Sequence, residues 1–242
     1  MFKKLIAVVL VLQGCRVYAG SVAENFDWGP GVPGREAFAA GTPVNGVLAQ
    51  SGNAVFQEYA NDHSVFSGAK GVGRGALLMK GLNNSVGFNY PVSGVTVVKA
   101  EGRLYPGDGQ VRGFWIGCQS AAADNQLLNN QTTDRLAVQL NSSGAIIFRA
   151  VVGGVTNQAV GPDGPITFTP GDLVKMELTI DVMQKTANVK VTGVGEGNVK
   201  IRTVKWPAGK VPDWGMIIIN QTGGGILLLE SVEAVADTSV VG

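Results

Sequence analysis

Few side chains in this sequence are of types that do chemistry, so their spacing decides what they could do. In Gly113-Phe114-Trp115-Ile116-Gly117-Cys118, a strand would turn Phe114, Ile116 and Cys118 to one face and Trp115 to the other. Arg149 stands alike between Phe148 and Ala150, and Gln139 between Val138 and Leu140. An outward tryptophan is a platform for a sugar ring, whose C–H face stacks on the indole while polar neighbours bond its hydroxyls. The competing reading has Trp115 covered by a loop or by the N-terminal segment. Trp206 and Trp214 bracket the Pro- and Gly-containing loop KWPAGKVPDWG and are further aromatic candidates, either for ligand or for pinning that loop.

Hydrolytic chemistry is thinly supplied. Glycoside hydrolysis needs two carboxyl groups about 5–5.5 Å apart for retention or roughly 6.5–9.5 Å for inversion. Glu177 and Asp181 are four apart and so share a strand face, but they read more readily as the solvent face of the hairpin. Glu230 and Glu233 are three apart, which predicts opposite faces and no pair. The single histidine, His63, stands beside Asp62 without a GxSxG elbow, so it reads as a surface-loop residue more readily than as part of a triad. A Cys–His zinc site lacks the necessary residues.

The elements that must position these residues are strands. From Asp172 to Thr192, Val174, Met176, Leu178, Ile180 and Val182 alternate with Lys175, Glu177, Thr179 and Asp181; after a break at Gln184-Lys185-Thr186, Val189 and Val191 alternate with Asn188 and Lys190. The pattern predicts a hairpin with one apolar face. At roughly 1.5–3 kcal/mol per large side chain, that face requires a second layer to cover it. Further strands are expected at Val47–Gln50, Ala54–Glu58, Ser64–Phe66, Gly75–Met79, Val86–Tyr90, Val95–Tyr105, Arg112–Gln119 and Arg135–Asn141. Ala145–Val152, Val155–Val160, Ile166–Phe168, Asn198–Trp206, Gly215–Asn220 and Ile226–Val235 complete the set. No segment sustains a helical period. Short strands at 8–12-residue spacing with abundant glycine (35 of 242 residues) predict an all-β antiparallel sandwich or barrel.

Residues 1–19 read as a signal peptide, with Lys3 and Lys4 before the apolar run Leu5–Leu12. Leu12-Gln13-Gly14-Cys15 also looks like a lipobox, which would anchor the chain through Cys15; both readings export it. Residues 20–242 are then one β-sandwich domain, opening on a Gly/Pro-rich lead-in over 20–46 that cannot be a central strand. Losing Lys3, Lys4 and Arg16 leaves 16 basic against 18 acidic residues, a net of −2. Near-neutral charge without a basic run argues against nucleic acid. No later segment has the length of a transmembrane helix. With Cys118 as the one remaining cysteine, no intrachain disulfide can form.

The order Glu24-Asn25-Phe26-Asp27-Trp28, a mid-chain GFWIG strand, a long amphipathic hairpin and a closing GILLLESVEAV strand resembles the concanavalin A-like (laminin G-like) jelly-roll superfamily, especially its bacterial secreted modules. The resemblance implies two antiparallel sheets, one concave and a common carbohydrate site, but no single activity. Family 16 glycosidases of this superfold carry E-x-D-x-E; here Thr179 replaces the central Asp and Asp181 the final Glu. Alginate-lyase-like members use an Arg, Gln, His and Tyr set, of which Arg149, Gln139 and Arg112 have counterparts here while the strand-borne His and a partnering Tyr are missing. Related modules hold calcium on polar loops, and the loop with Asp124, Asn125 and Asp134 is the candidate.

These observations lead to an exported, non-catalytic carbohydrate-binding or adhesion-type module, secreted or at the cell surface or periplasm, whose partner is a polysaccharide or glycan. No cofactor is called for, calcium excepted. A divergent glycoside hydrolase or polysaccharide lyase and a structural exoprotein that binds another protein are the alternatives.

Overall fold

The computed structural model describes residues 20–59, 64–67, 75–81, 83–105, 113–120, 134–159, 164–207 and 212–237; among them it forms fifteen strands and no helix. In chain order these are β1 (Ser21–Glu24), β2 (Gln57–Glu58), β3 (Val65–Ser67), β4 (Ala76–Lys80) and β5 (Asn83–Asn89). Then come β6 (Val95–Tyr105), β7 (Gly113–Gln119), β8 (Arg135–Asn141), β9 (Ile146–Val152) and β10 (Val155–Gln158). The last are β11 (Leu173–Asp181), β12 (Thr186–Thr192), β13 (Val199–Lys205), β14 (Met216–Thr222) and β15 (Ile226–Asp237).

Two antiparallel sheets result. One runs β13-β12-β11-β6-β15-β4-β3, with β1 also on β15; the other runs β10-β9-β8-β7-β14-β5-β2. The expected hairpin is β11–β12, and its Val174, Met176, Leu178, Ile180, Val189 and Val191 are all buried. They meet Phe114, Ile116, Cys118, Leu136, Val138, Leu140, Phe148, Ile217 and Ile219 of the second sheet in one continuous core. The alternation visible in the sequence is therefore the inward face of each sheet, and the architecture is the all-β sandwich expected. Near its end the hairpin reverses through Lys185, which adopts a positive φ of 54°.

Two expectations need correction. Ile166–Phe168 is not a strand; Ile166 plugs the core, and its N–H donates to Gly144 O at 3.0 Å. That contact requires Gly144, with φ +79°, because a Cβ there would lie 2.0 Å from the Ile166 carbonyl. Val47–Gln50 forms only an isolated bridge, Leu48 to Val55.

The lead-in pairs with β15 through Ser21–Glu24 and bridges β3 through Pro43, and each residue of Glu24-Asn25-Phe26-Asp27-Trp28 has a task there. Glu24 forms a buried ion pair with Arg35 and also accepts from the Phe26 and Gln50 N–H groups. Asn25 Oδ1 accepts from Asp27 N at 3.1 Å. Phe26 is fully buried against Phe56 and Phe66. Asp27 Oδ1 accepts from Gly75 N at 3.0 Å, and Trp28 Nε1 donates to Ser67 O at 3.2 Å.

Candidate functional site

The outward face of the seven-stranded sheet collects the polar and aromatic candidates. Register sets them in rows across the strands. Ile147, Gln139, Trp115 and Asn220 lie opposite one another along one row. The next holds Gln158, Arg149, Ala137, Gly117 and Ile218. The third holds Thr156, Val151, Arg135, Gln119 and Met216. The middle row carries almost no side chain where it crosses β8 and β7, at Ala137 and Gly117, and both positions are buried. Gly117 cannot be otherwise: a Cβ would lie 2.0 Å from Leu136 O.

Trp115 faces away from the core, as strand parity predicts, and is half-buried. Its indole packs on a small second cluster of Ala137, Met216 and Ile218, which Tyr59 also touches. Its Nε1 donates to Thr222 Oγ1 at 3.0 Å, and the same oxygen accepts from Gly113 N at 3.4 Å. The ring is thus fixed at its polar edge. Gln139 is its immediate neighbour on β8, and Arg149 stands one strand and one row further. Three sequence candidates come together here.

The electrostatics of this face are one-sided. Arg135 is 4% exposed, and burial, then the neighbouring Arg149 charge, push its guanidinium down to about 10. Arg135 Nη1 and Arg149 Nε are both buried without a hydrogen-bond partner, as is Asn220 Oδ1. Among the described residues neither guanidinium makes an ion pair. A buried donor left unpaired costs about 1–3 kcal/mol, and more when charged. Asp134, the residue before Arg135, instead accepts from Gly154 N at 3.3 Å.

Tyr59 was not foreseen at this face. Its phenol donates to Gln57 Oε1, and burial pushes its pKa up to about 12, so it is held protonated. Arg135 was also missed, although its parity with Gln139 on β8 was legible. Tyr59 left no signal, because it follows a two-residue strand and reaches the face through tertiary packing.

Other candidates are placed elsewhere. Trp206 and Trp214 are 4% and 2% exposed, packed edge to face with ring centroids 5.3 Å apart in the main core. Buried against each other, as ligand contacts they are corrected. Glu177 lies between Lys99 and Lys190 on the outward face of the eight-stranded sheet, lining a hollow of about 140 Å³ among Lys99, Glu101, Lys175 and Thr192. Asp181 accepts from Gln184 N at 2.8 Å and caps the hairpin turn. The expectation for Glu230 and Glu233 fails because the register of β15 shifts between Leu229 and Ser231. Both turn to the outward face, where Glu230 pairs with Arg103 at 2.6 Å and Glu233 with Lys99 at 3.0 Å.

Asp124, Asn125, Arg112 and His63 lie outside the described residues. Of the calcium candidates the described residues supply Asp134 alone, and among them no group of three His, Cys, Asp or Glu side chains could hold a metal ion. By themselves they do not make a calcium site.

No family model matches the chain, and no curated protein sequence matches it. Solved structures do. Peanut lectin with a nine-residue peptide is similar at 13% identity and a TM-score of 0.57, over 89% of this chain and 97% of that one. Lectin UEA-II complexed with galactose is similar at 10% and 0.56, over 89% and 97%. Arcelin-5, a lectin-like defence protein from Phaseolus vulgaris, is similar at 9% and 0.51, over 89% and 98%. At such identities the likeness shows the fold, which is the concanavalin A-like jelly roll.

Proposed function

We propose that this chain is an exported, non-catalytic glycan-binding module and that the outward face of its seven-stranded sheet is the binding face. One observation carries the reading: a half-buried tryptophan held by its own N–H shares that face with buried polar groups, on Arg135, Arg149 and Asn220, that lack partners among the described residues. A sugar brings both things such a surface accepts, an apolar C–H face and a ring of hydroxyls. The lectin-like fold supports the same reading, since UEA-II was solved with galactose on this architecture. Export rests on the basic and apolar start of the sequence, residues 1–19.

A glycan array probed with the chain, with and without calcium, tests this. Binding to at least one glycan class, reduced at least tenfold by Trp115→Ala, is the expected result. No binding to any glycan in either condition refutes it. Dependence on calcium would bring Asp124, Asn125 and Asp134 into the site.

A further inference from the structure

The face that carries Trp115 also carries two cations and no described anion to answer them. Arg135 and Arg149 stand on adjacent strands, with Arg149 opposite Ala137, two residues along β8 from Arg135. Directly opposite partners on neighbouring strands have Cβ atoms about 5 Å apart and diagonal ones about 7–8 Å, within the reach of two long side chains that converge. Arg135 is almost wholly buried, Arg149 half-buried, and each presents a buried N–H that meets no acceptor.

Two other described arginines are met by carboxylates and carbonyls, although Arg202 Nε, like Arg149 Nε, is buried without a hydrogen-bond partner. Arg35 is met by Glu24 and by the carbonyls of Asp27 and Leu48, and Arg103 by Glu230 and the Gly171 carbonyl. What sets this face apart is that two such arginines stand on adjacent strands. Two like charges held together and out of water are each destabilised by the other, and an oxyanion placed between them relieves both at once. A guanidinium presents parallel N–H groups that match the two oxygens of a carboxylate or sulfate.

From this we infer that the glycan bound on this face is acidic, and that a carboxylate or sulfate group on the sugar seats against Arg149 and Arg135. The inference rests on the glycan-binding reading of the same face. Arg149 is the entrance, because it borders Gln158 and Thr156, which are exposed on β10. Both can bond sugar hydroxyls beside the acid. Trp115 is two strands from Arg149, at about 4.8 Å per strand, and one same-face row of about 6.8 Å, which together make about 12 Å. That is the span of two to three sugar rings. The acidic unit therefore sits on the arginines while a neighbouring ring stacks on the indole.

The full chain is titrated calorimetrically with four polymers: polygalacturonate, its fully methyl-esterified form, dextran sulfate and dextran. The methyl ester removes the charge and keeps the backbone, and the dextran pair separates sulfate from carboxylate. At least tenfold tighter binding of one charged polymer than of its neutral counterpart is expected. Arg149→Gln should remove that difference while the circular dichroism spectrum and melting temperature stay near wild type. Arg149→Lys, which keeps the charge and loses the fork, should retain only part of it. Arg135 is buried, and its variant could unfold, so the result turns on Arg149. Equal affinity for charged and neutral polymers overturns the inference while glycan binding stands. Binding of inorganic sulfate alone as tightly as the polymers also overturns it. Binding to none of these polymers or to any arrayed glycan ends both readings.

Discussion

Trp115 and Thr222 are joined across β7 and β14 by an indole N–H···O bond of 3.0 Å. The bond fixes the ring at its N–H edge, where an unrestrained indole would have to lose rotamer freedom when ligand arrives. Thr222 Oγ1 also accepts from Gly113 N, so one hydroxyl ties strand and side chain together.

Thr222→Val keeps the shape and removes the one oxygen that accepts both bonds. Glycan affinity should fall about three- to tenfold, about 0.7–1.4 kcal/mol, with a smaller loss than for Trp115→Ala. Titration of both variants against the tightest array ligand checks the order. An unchanged affinity in Thr222→Val would show that the bond does not preorganise the ring.

The sandwich was legible because its inward faces alternate without interruption, above all from Val174 to Ile180. The outward placement of Trp115 followed from the same parity. What escaped was set by events that a period of two does not record. The bulge in β15 turned Glu230 to the side of Glu233, and no local pattern announces a single extra residue. Trp206 and Trp214 sit beside a polar, Pro-containing loop, and only tertiary packing shows that they close on each other. The charge of the face was half legible. Arg149 was read as outward, but that Arg135 and Arg149 meet depends on the β8–β9 register.

Arg35 anchors the lead-in. It is 3% exposed, pairs with Glu24, donates to Leu48 O at 2.8 Å and lies 5.3 Å from the Phe66 ring centre. Breaking a buried pair from one side leaves a charge without its counterion, at a cost of about 3–5 kcal/mol. Arg35→Ala should therefore lower the urea midpoint sharply with little change in slope. The double variant Glu24→Met, Arg35→Met should lose less than the sum of the two single changes. Full additivity would mean the two groups act independently.

Cys118 is buried on the core side of β7, and burial pushes its thiol pKa well up. A thiol reacts as the thiolate, so this one should be inert while the sandwich is closed. In a chain carrying Cys15→Ser, a disulfide reagent should modify Cys118 only at the rate at which the core opens, and at once in denaturant. Immediate reaction under native conditions would show that β7 is open to solvent.

Tyr59 provides a pH test of the same outward face. Its phenol donates to Gln57, and burial raises its pKa from 10.0 to about 12. The folded state therefore holds this proton where the unfolded chain has released it. The sign follows: the contribution is complete below about pH 10 and is lost as pH rises through about 12. The difference in phenolate absorbance between wild type and Tyr59→Phe should have its midpoint near pH 12. Between pH 10 and 12 the melting temperature of wild type should fall more steeply than that of Tyr59→Phe. A difference midpoint near pH 10 would mean that Tyr59 is solvated and that the apolar cluster beneath Trp115 is not closed over it.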